Sequence, residues 1–171
     1  KRQVIIGGGF AGLNLANELS NNPDFEITLV DKNNYNFFPP LIYQVATAYL
    51  EPSAISFPFR KYFRDKKNVR FRMGEMVSVK ANENIAVLHN GELEYDALVF
   101  ATGAETNYFG MENVKKNAIP MKTLNDAIEM RNKLLQRMEK ATLNQNSRER
   151  RKYMNIVVAV SYTHLTLPTK A

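Results

Sequence analysis

Apolar residues in this chain gather into short continuous runs, set apart by glycines, prolines and asparagines, and into two stretches where they recur at helical spacing. Val4-Ile5-Ile6 is the first run, and it stops at Gly7-Gly8-Gly9. From Ala11 to Leu19 the apolar positions are Leu13, Leu15, Ala16 and Leu19, the spacing of a helix that Asn21-Asn22-Pro23 then ends. Glu26 to Val30 reads as a second buried strand, parallel to the first and closed by Asp31. Strand, glycine turn, helix and strand in this order predict the opening of an α/β domain.

The segment Lys32 to Thr47 breaks that rhythm. It is rich in aromatics and asparagine, shows no strand alternation, and its Pro39-Pro40 pair delays any helix until Leu41 to Tyr49. A loop of this composition just past the second strand either packs as core or walls a flat aromatic ligand. Phe57 to Phe63 predicts a helical turn or two, and Asn68 to Arg72 a short strand. Three alternating runs follow, Met76 to Val79, Ile85 to Leu88 and Leu93 to Tyr95, parted by Asn82-Glu83-Asn84 and Asn90-Gly91, the pattern of an antiparallel meander. Ala97 to Phe100 is again a continuous apolar strand and runs into Ala101-Thr102-Gly103. Thr123 is placed to cap a long amphipathic helix with Leu124, Ala127, Ile128, Leu134, Leu135 and Met138 as its apolar face. Asn144 to Arg151 is polar and linker-like, and Tyr153 to Ala159 reads as the opening strand of a second unit.

Composition narrows the choices. With 171 residues, 44% of them apolar, the chain has the material for one packed domain, or for one domain and a piece of a second. The net charge of +6 comes mainly from Arg60 to Arg72 and from Arg148 to Lys152. These clusters read as solvated faces, with an anionic membrane surface as the second choice, and no nucleic-acid motif accompanies them. Cysteine is absent, so neither a disulfide framework nor a redox dithiol operates within the chain. The two histidines make no metal site, His89 standing alone in a polar hairpin. Without a long apolar run or a signal-peptide pattern, the expected setting is cytoplasmic. The start at Lys1 instead of a methionine reads as a few missing residues.

Gly7, Gly9 and Gly12 stand at the G-x-G-x-x-G spacing directly after the first strand. At that spacing the first glycine permits the tight turn, the second lets backbone approach a pyrophosphate, and the third allows close packing of helix on sheet. The helix that follows aims its unpaired N–H groups and positive dipole end at the phosphates. Asp31, roughly 20 residues beyond the last glycine, is placed to accept hydrogen bonds from the ribose of the adenosine half. Small residues at Ala101-Thr102-Gly103 leave room for a ligand at the carboxyl end of a parallel strand. These features predict dinucleotide binding without separating FAD from NAD.

The fingerprint, the Asp31-Lys32 pair, the meander and Ala101-Thr102-Gly103 resemble the two-dinucleotide-binding-domain flavoproteins. Within that group Asn33-Asn34-Tyr35 to Thr47, with its Pro-Leu-Ile-Tyr-Gln-Val-Ala-Thr core, is similar to type II NADH dehydrogenase, the non-proton-pumping NADH:quinone oxidoreductase, over residues 1 to about 159. The resemblance implies an α/β, Rossmann-like FAD-binding domain, a parallel sheet with helices plus the antiparallel meander, in truncated form. It divides the chain into an FAD domain over 1–122, a connecting helix and linker over 123–152, and the first strand of an NADH domain over 153–159. It also implies that Gly7, Gly9, Phe10, Ala11 and Gly12 line the pyrophosphate, that Asp31 and Lys32 meet the adenosine ribose, and that Met76 contacts the adenine through its backbone. Ala101, Thr102 and Gly103 would pass close to the cofactor, and Leu41, Gln44 and Thr47 would lie toward the isoalloxazine. The chemistry implied is hydride transfer from NADH to flavin N5, then two electrons to a membrane quinone. The full-length protein would sit at the cytoplasmic face of the inner membrane by peripheral association through segments absent here, with a homodimer as one option. The catalytic and quinone-site residues would lie beyond Ala159, leaving the chain by itself a weak, inactive FAD binder.

Val160 to Ala171 offers no glycine and meets Pro168 too soon for a crossover helix. It reads as a translated sequencing-adapter tail that is not native. The alternative functions are another FAD-dependent pyridine nucleotide oxidoreductase such as sulfide:quinone oxidoreductase, a nucleotide-binding module without turnover, and an NAD-dependent dehydrogenase. Disulfide chemistry needs cysteines that this stretch lacks, and no Tyr-x-x-x-Lys pair supports the dehydrogenase.

Overall fold

Four parallel strands form the central sheet, in the spatial order β5-β2-β1-β9. In chain order the elements are β1 (Arg2–Ile6), α1 (Phe10–Leu19), β2 (Glu26–Asp31), β3 (Tyr35–Phe37), a 3-10 turn (Pro39–Leu41), α2 (Ile42–Ala46), α3 (Pro52–Ile55), β4 (Ser56–Pro58), α4 (Phe59–Tyr62), β5 (Val69–Met73), β6 (Met76–Lys80), β7 (Ile85–Leu88), β8 (Gly91–Glu94), β9 (Ala97–Phe100), α5 (Glu112–Asn117), α6 (Leu124–Leu143) and α7 (Ser147–Met154). This computed structural model describes residues 1–158. The chain divides into two compact units, Lys1–Arg131 and the residues from Asn132 onward, with the boundary inside α6.

Both faces of the parallel sheet are covered, which is why its strands are continuous apolar runs. Ile5, Ile27, Leu29 and Val69 point to one face and pack with Ala16 of α1 and with Phe59 and Phe63. Val4, Ile6 and Val30 point to the other and pack with Leu88, Met76 and Leu93 of the meander. The meander is the antiparallel sheet β6-β7-β8, as its alternation predicts. A third cluster joins α2 to the start of α6 through Ile42, Val45, Ala46, Ile55, Leu124 and Ala127.

Three expectations are corrected. Tyr35–Phe37 is a strand, paired antiparallel with Ser56–Pro58 as a separate two-stranded ribbon; three residues are too few for alternation to show. Asn144 to Arg151 is not simply a linker, because the Asn146 side chain accepts from the Arg148 and Glu149 N–H groups and starts α7. That helix takes in Tyr153 and Met154, so over the described residues 153–158 the expected strand does not form. Residues 155–158 are irregular, and Val157 and Val158 are 92% and 77% exposed. A parallel strand exists only beside a partner, and among the described residues none is offered. Ala159 and the tail from Val160 to Ala171 lie outside the described residues.

Thr123 caps α6 as expected, in a reciprocal box: its Oγ1 accepts from Asp126 N–H at 3.2 Å, and its own N–H donates to Asp126 Oδ2 at 2.7 Å. Leu124 and Ala127 of the apolar stripe are buried, Leu135 and Met138 are about half exposed, and Ala141 near the helix end is buried again.

At the amino end of the sheet Asp96 ties β9 to β1, accepting the Arg2 N–H at 2.7 Å. That backbone hydrogen bond, helped by the Arg2 guanidinium, holds the Asp96 carboxyl below its ordinary value. A carboxyl depressed by folding stabilises the fold fully above its unfolded value, and the contribution fades as pH falls through the folded one. Asp96→Asn is therefore expected to lower Tm at neutral pH and to flatten its decline on acidification, read by thermal scans across the acid range.

Candidate dinucleotide-binding site

The carboxyl ends of three strands are level. Ile6 is in register with both Val30 and Phe100, so Gly7, Asp31 and Ala101 emerge side by side. The ladder carries one step further, with Gly7 N–H to the Val30 carbonyl at 2.8 Å and Ala101 N–H to the Ile6 carbonyl at 2.7 Å. In an open α/β sheet this edge is where ligands bind.

The chain leaves β1 through Gly7 at φ +105°, a conformation natural only to glycine. A Cβ there would collide with the Ala101 carbonyl oxygen and lie 2.7 Å from its carbon. Gly12 is buried, and a Cβ on it would collide with the Gly7 carbonyl oxygen. Helix α1 therefore packs on the turn at backbone distance. Gly9 differs, for nothing lies within 4 Å of where its Cβ would stand. It is the N-cap of α1, and no side chain caps the helix. The first intrahelical bond runs from Leu13 N–H to the Gly9 carbonyl at 2.9 Å, which leaves the Phe10, Ala11 and Gly12 N–H groups without helical partners. These donors, with the dipole behind them, suit an anionic diphosphate.

Asp31 closes the cradle from β2. Its Oδ2 accepts from Gly8 N–H at 2.7 Å and its Oδ1 from Asn33 N–H at 2.8 Å. A carboxylate has about four lone-pair sites, so each oxygen keeps capacity for a ribose hydroxyl.

Two residues without an assigned role in the sequence reading also hold the turn. Asn36 Nδ2 donates to the Gly8 carbonyl at 2.6 Å. The ring of buried Phe59 lies under Gly8, 2.7 Å at Cε1 from the position of a Cβ. Both come from the segment after Asp31, and only their partners in space reveal them.

The remaining expected residues are spread more widely. Thr102 follows Ala101 against the glycine turn, its Cα 3.2 Å from a Gly7 Cβ, and Gly103 is exposed at φ +70°. Lys32 is exposed, and Met76 packs into the core between sheet and meander, where β6 is irregular between Met76 and Ser78. Gln44 and exposed Thr47 belong to α2 and its end, where the Thr47 hydroxyl donates to the Tyr43 carbonyl at 2.9 Å. Leu41 packs on the α2 cluster. Strand β3 links the two regions, since Asn36 reaches Gly8 while Tyr35 and Phe37 pack against α2. Phe10 and Phe38 meet edge to face at 5.8 Å beside the helix start.

The family described as pyridine nucleotide-disulphide oxidoreductase matches residues 1–159. The chain belongs to that family. Among proteins with curated names, it is 38% identical over 161 residues to the type II NADH:quinone oxidoreductase NdhA of Mycobacterium tuberculosis, covering 92% of this chain and 34% of that protein. Its fold matches NDH2 of Plasmodium falciparum, solved in complex with NADH, at TM-score 0.78 and 27% identity, over 89% of this chain and 32% of that one. It also matches the sulfide:quinone oxidoreductase of Aquifex aeolicus at TM-score 0.74 and 32% identity, over 82% of this chain and 32% of that one. The chain spans about a third of the length of the curated relatives it matches.

Proposed function

We propose that this chain is the FAD-holding portion of a non-proton-pumping NADH:quinone oxidoreductase. The observation that carries the reading is the cradle formed by Gly7, Gly9, Gly12 and Asp31 at one sheet edge, in a chain similar over 92% of its length to a type II NADH:quinone oxidoreductase. The donor set fits FAD: unpaired N–H groups of α1 for the diphosphate, Asp31 and Lys32 for the adenosine ribose, and the backbone at Met76 for the adenine. Ala101, Thr102 and Gly103 would flank the cofactor, with Gln44 and Thr47 toward its isoalloxazine end. Bound there, FAD would supply two-electron exchange between NADH and a quinone. The chain's own part is to hold and orient: a backbone turn too tight for side chains, a dipole for the diphosphate, and a carboxylate for the sugar. In this reading the protein works at the cytoplasmic face of a membrane by peripheral association. Among the described residues no helix is long and apolar enough to cross one.

Sulfide:quinone oxidoreductase is the second reading, favoured by one structural likeness. It is the weaker because curated relatives of this chain are type II NADH:quinone oxidoreductases. The test is to purify the gene product at its natural length, record its absorbance for bound flavin, and offer NADH or sulfide with a soluble quinone analogue. Flavin absorbance and NADH-dependent quinone reduction are expected. Quinone reduction with sulfide and not NADH, or a protein that takes up no flavin, would overturn the proposal.

A further inference from the structure

We propose that Asn36 is a positioning residue for the diphosphate turn, locking the Gly8 to Gly9 peptide so that its N–H is presented to the cofactor. The inference rests on the FAD reading above and adds to it a residue outside the glycine fingerprint.

The Gly8 backbone is gripped on both of its polar groups. Its N–H donates to Asp31 Oδ2 at 2.7 Å, and its carbonyl accepts from Asn36 Nδ2 at 2.6 Å. The described peptides are all trans, and in a planar trans unit the carbonyl and the following N–H point in opposite directions. Holding the Gly8 carbonyl toward Asn36 therefore turns the Gly9 N–H away from Asn36. No protein acceptor for that N–H occurs among the described residues. It joins the unpaired N–H groups that open α1 as one more donor for the diphosphate. Without the grip this peptide could rotate, and glycine at both ends makes that rotation easy.

Asn36 is itself held rigidly. It sits in the middle of β3, opposite Phe57 of β4, and the Phe59 N–H donates to the Asn34 carbonyl at 3.1 Å. Its neighbours Tyr35 and Phe37 are packed against the α2 cluster, so the alternation of the strand sends Asn36 the other way. The partner is a carbonyl, so the amide must present its NH2 and not its oxygen. Aspartate, nearly the same shape, would set acceptor against acceptor. Histidine, whose Nδ1 stands as many bonds from Cα as the asparagine Nδ2, can donate.

The experiment uses the gene product at its natural length, stripped of cofactor and titrated with FAD and with ADP, which share the diphosphate. Asn36→Ala and Asn36→Leu are expected to weaken both ligands about tenfold, the effect of one lost hydrogen bond in a positioning network. Asn36→Asp should lose more, Asn36→His should stay within about threefold of the parent, and the cofactor-free melting temperature should stay close to the parent's throughout. Equal affinity in parent and alanine variant overturns the assignment. So does a loss in the histidine variant as large as in alanine, or a melting temperature that falls in step with affinity, since either marks a purely structural role. A parent that binds neither FAD nor ADP overturns the flavin reading itself, and this assignment with it.

Discussion

Replacing Gly12 by alanine is expected to cost the fold about 1–3 kcal/mol or more, and replacing Gly7 about 2–6 kcal/mol, out of about 5–15 kcal/mol for a typical domain, and each to abolish flavin loading. At Gly12 the added methyl meets the Gly7 carbonyl oxygen and lies 3.0 Å from its carbon, with Ala101 Cβ at 3.3 Å behind it. Backbone cannot swing aside as a flexible side chain does, so helix α1 must lift off the sheet, an overpacking of about 1–3 kcal/mol or more. Gly7 adds a second cost, because φ +105° strains any side-chain-bearing residue by about 1–3 kcal/mol. Gly9→Ala is the contrast that separates folding from binding. Its φ is −71° and nothing lies within 4 Å of the new methyl, so urea unfolding should move by less than about 0.5 kcal/mol. Flavin affinity should still fall, because the methyl stands where the diphosphate has to approach. Equal destabilisation by all three substitutions would show that the turn is not divided in this way.

Much of this division was legible in the sequence because each element announces itself locally. A strand buried on both faces is a continuous apolar run, as in Val4 to Ile6. A tight turn under a helix demands glycine, and Asp31 ends its strand where the second half of the fingerprint requires an acid. The Thr123 cap declares itself in the same way, through a hydroxyl three residues ahead of an acid. What stayed hidden depends on residues distant in the chain. Strand β3 exists only because Ser56–Pro58 returns beside it, and an Asn-rich, Phe-rich segment of that length carries no period of its own. The apolar run from Tyr153 failed in the opposite sense. It has strand composition, yet Asn146 caps a helix that extends through Met154, and the next residues find no sheet. Composition states what a segment would bury, and only a neighbour decides whether it does so.

Gly8 shows how a distant neighbour fixes residue identity at a position that the fingerprint leaves free. Phe59 is 1% exposed and stacks on Phe71 with ring centroids 4.8 Å apart. Its edge fills the space that a side chain at position 8 would need. Phe59→Ala is expected to cost about 3–5 kcal/mol, from lost burial and the cavity left behind. Gly8→Ala should cost about 1–3 kcal/mol, because the buried ring has little room to retreat. If the two positions meet as described, a smaller residue at 59 makes room for a methyl at 8. The double variant Gly8→Ala with Phe59→Leu should then be more stable than the sum of its single changes by about 0.5–3 kcal/mol, measured by urea unfolding of all four proteins. Strict additivity would mean that ring and glycine do not touch. Coupling would show that the phosphate turn rests on the hydrophobic core, so that a packing change below the sheet edge reaches the cofactor site through one glycine.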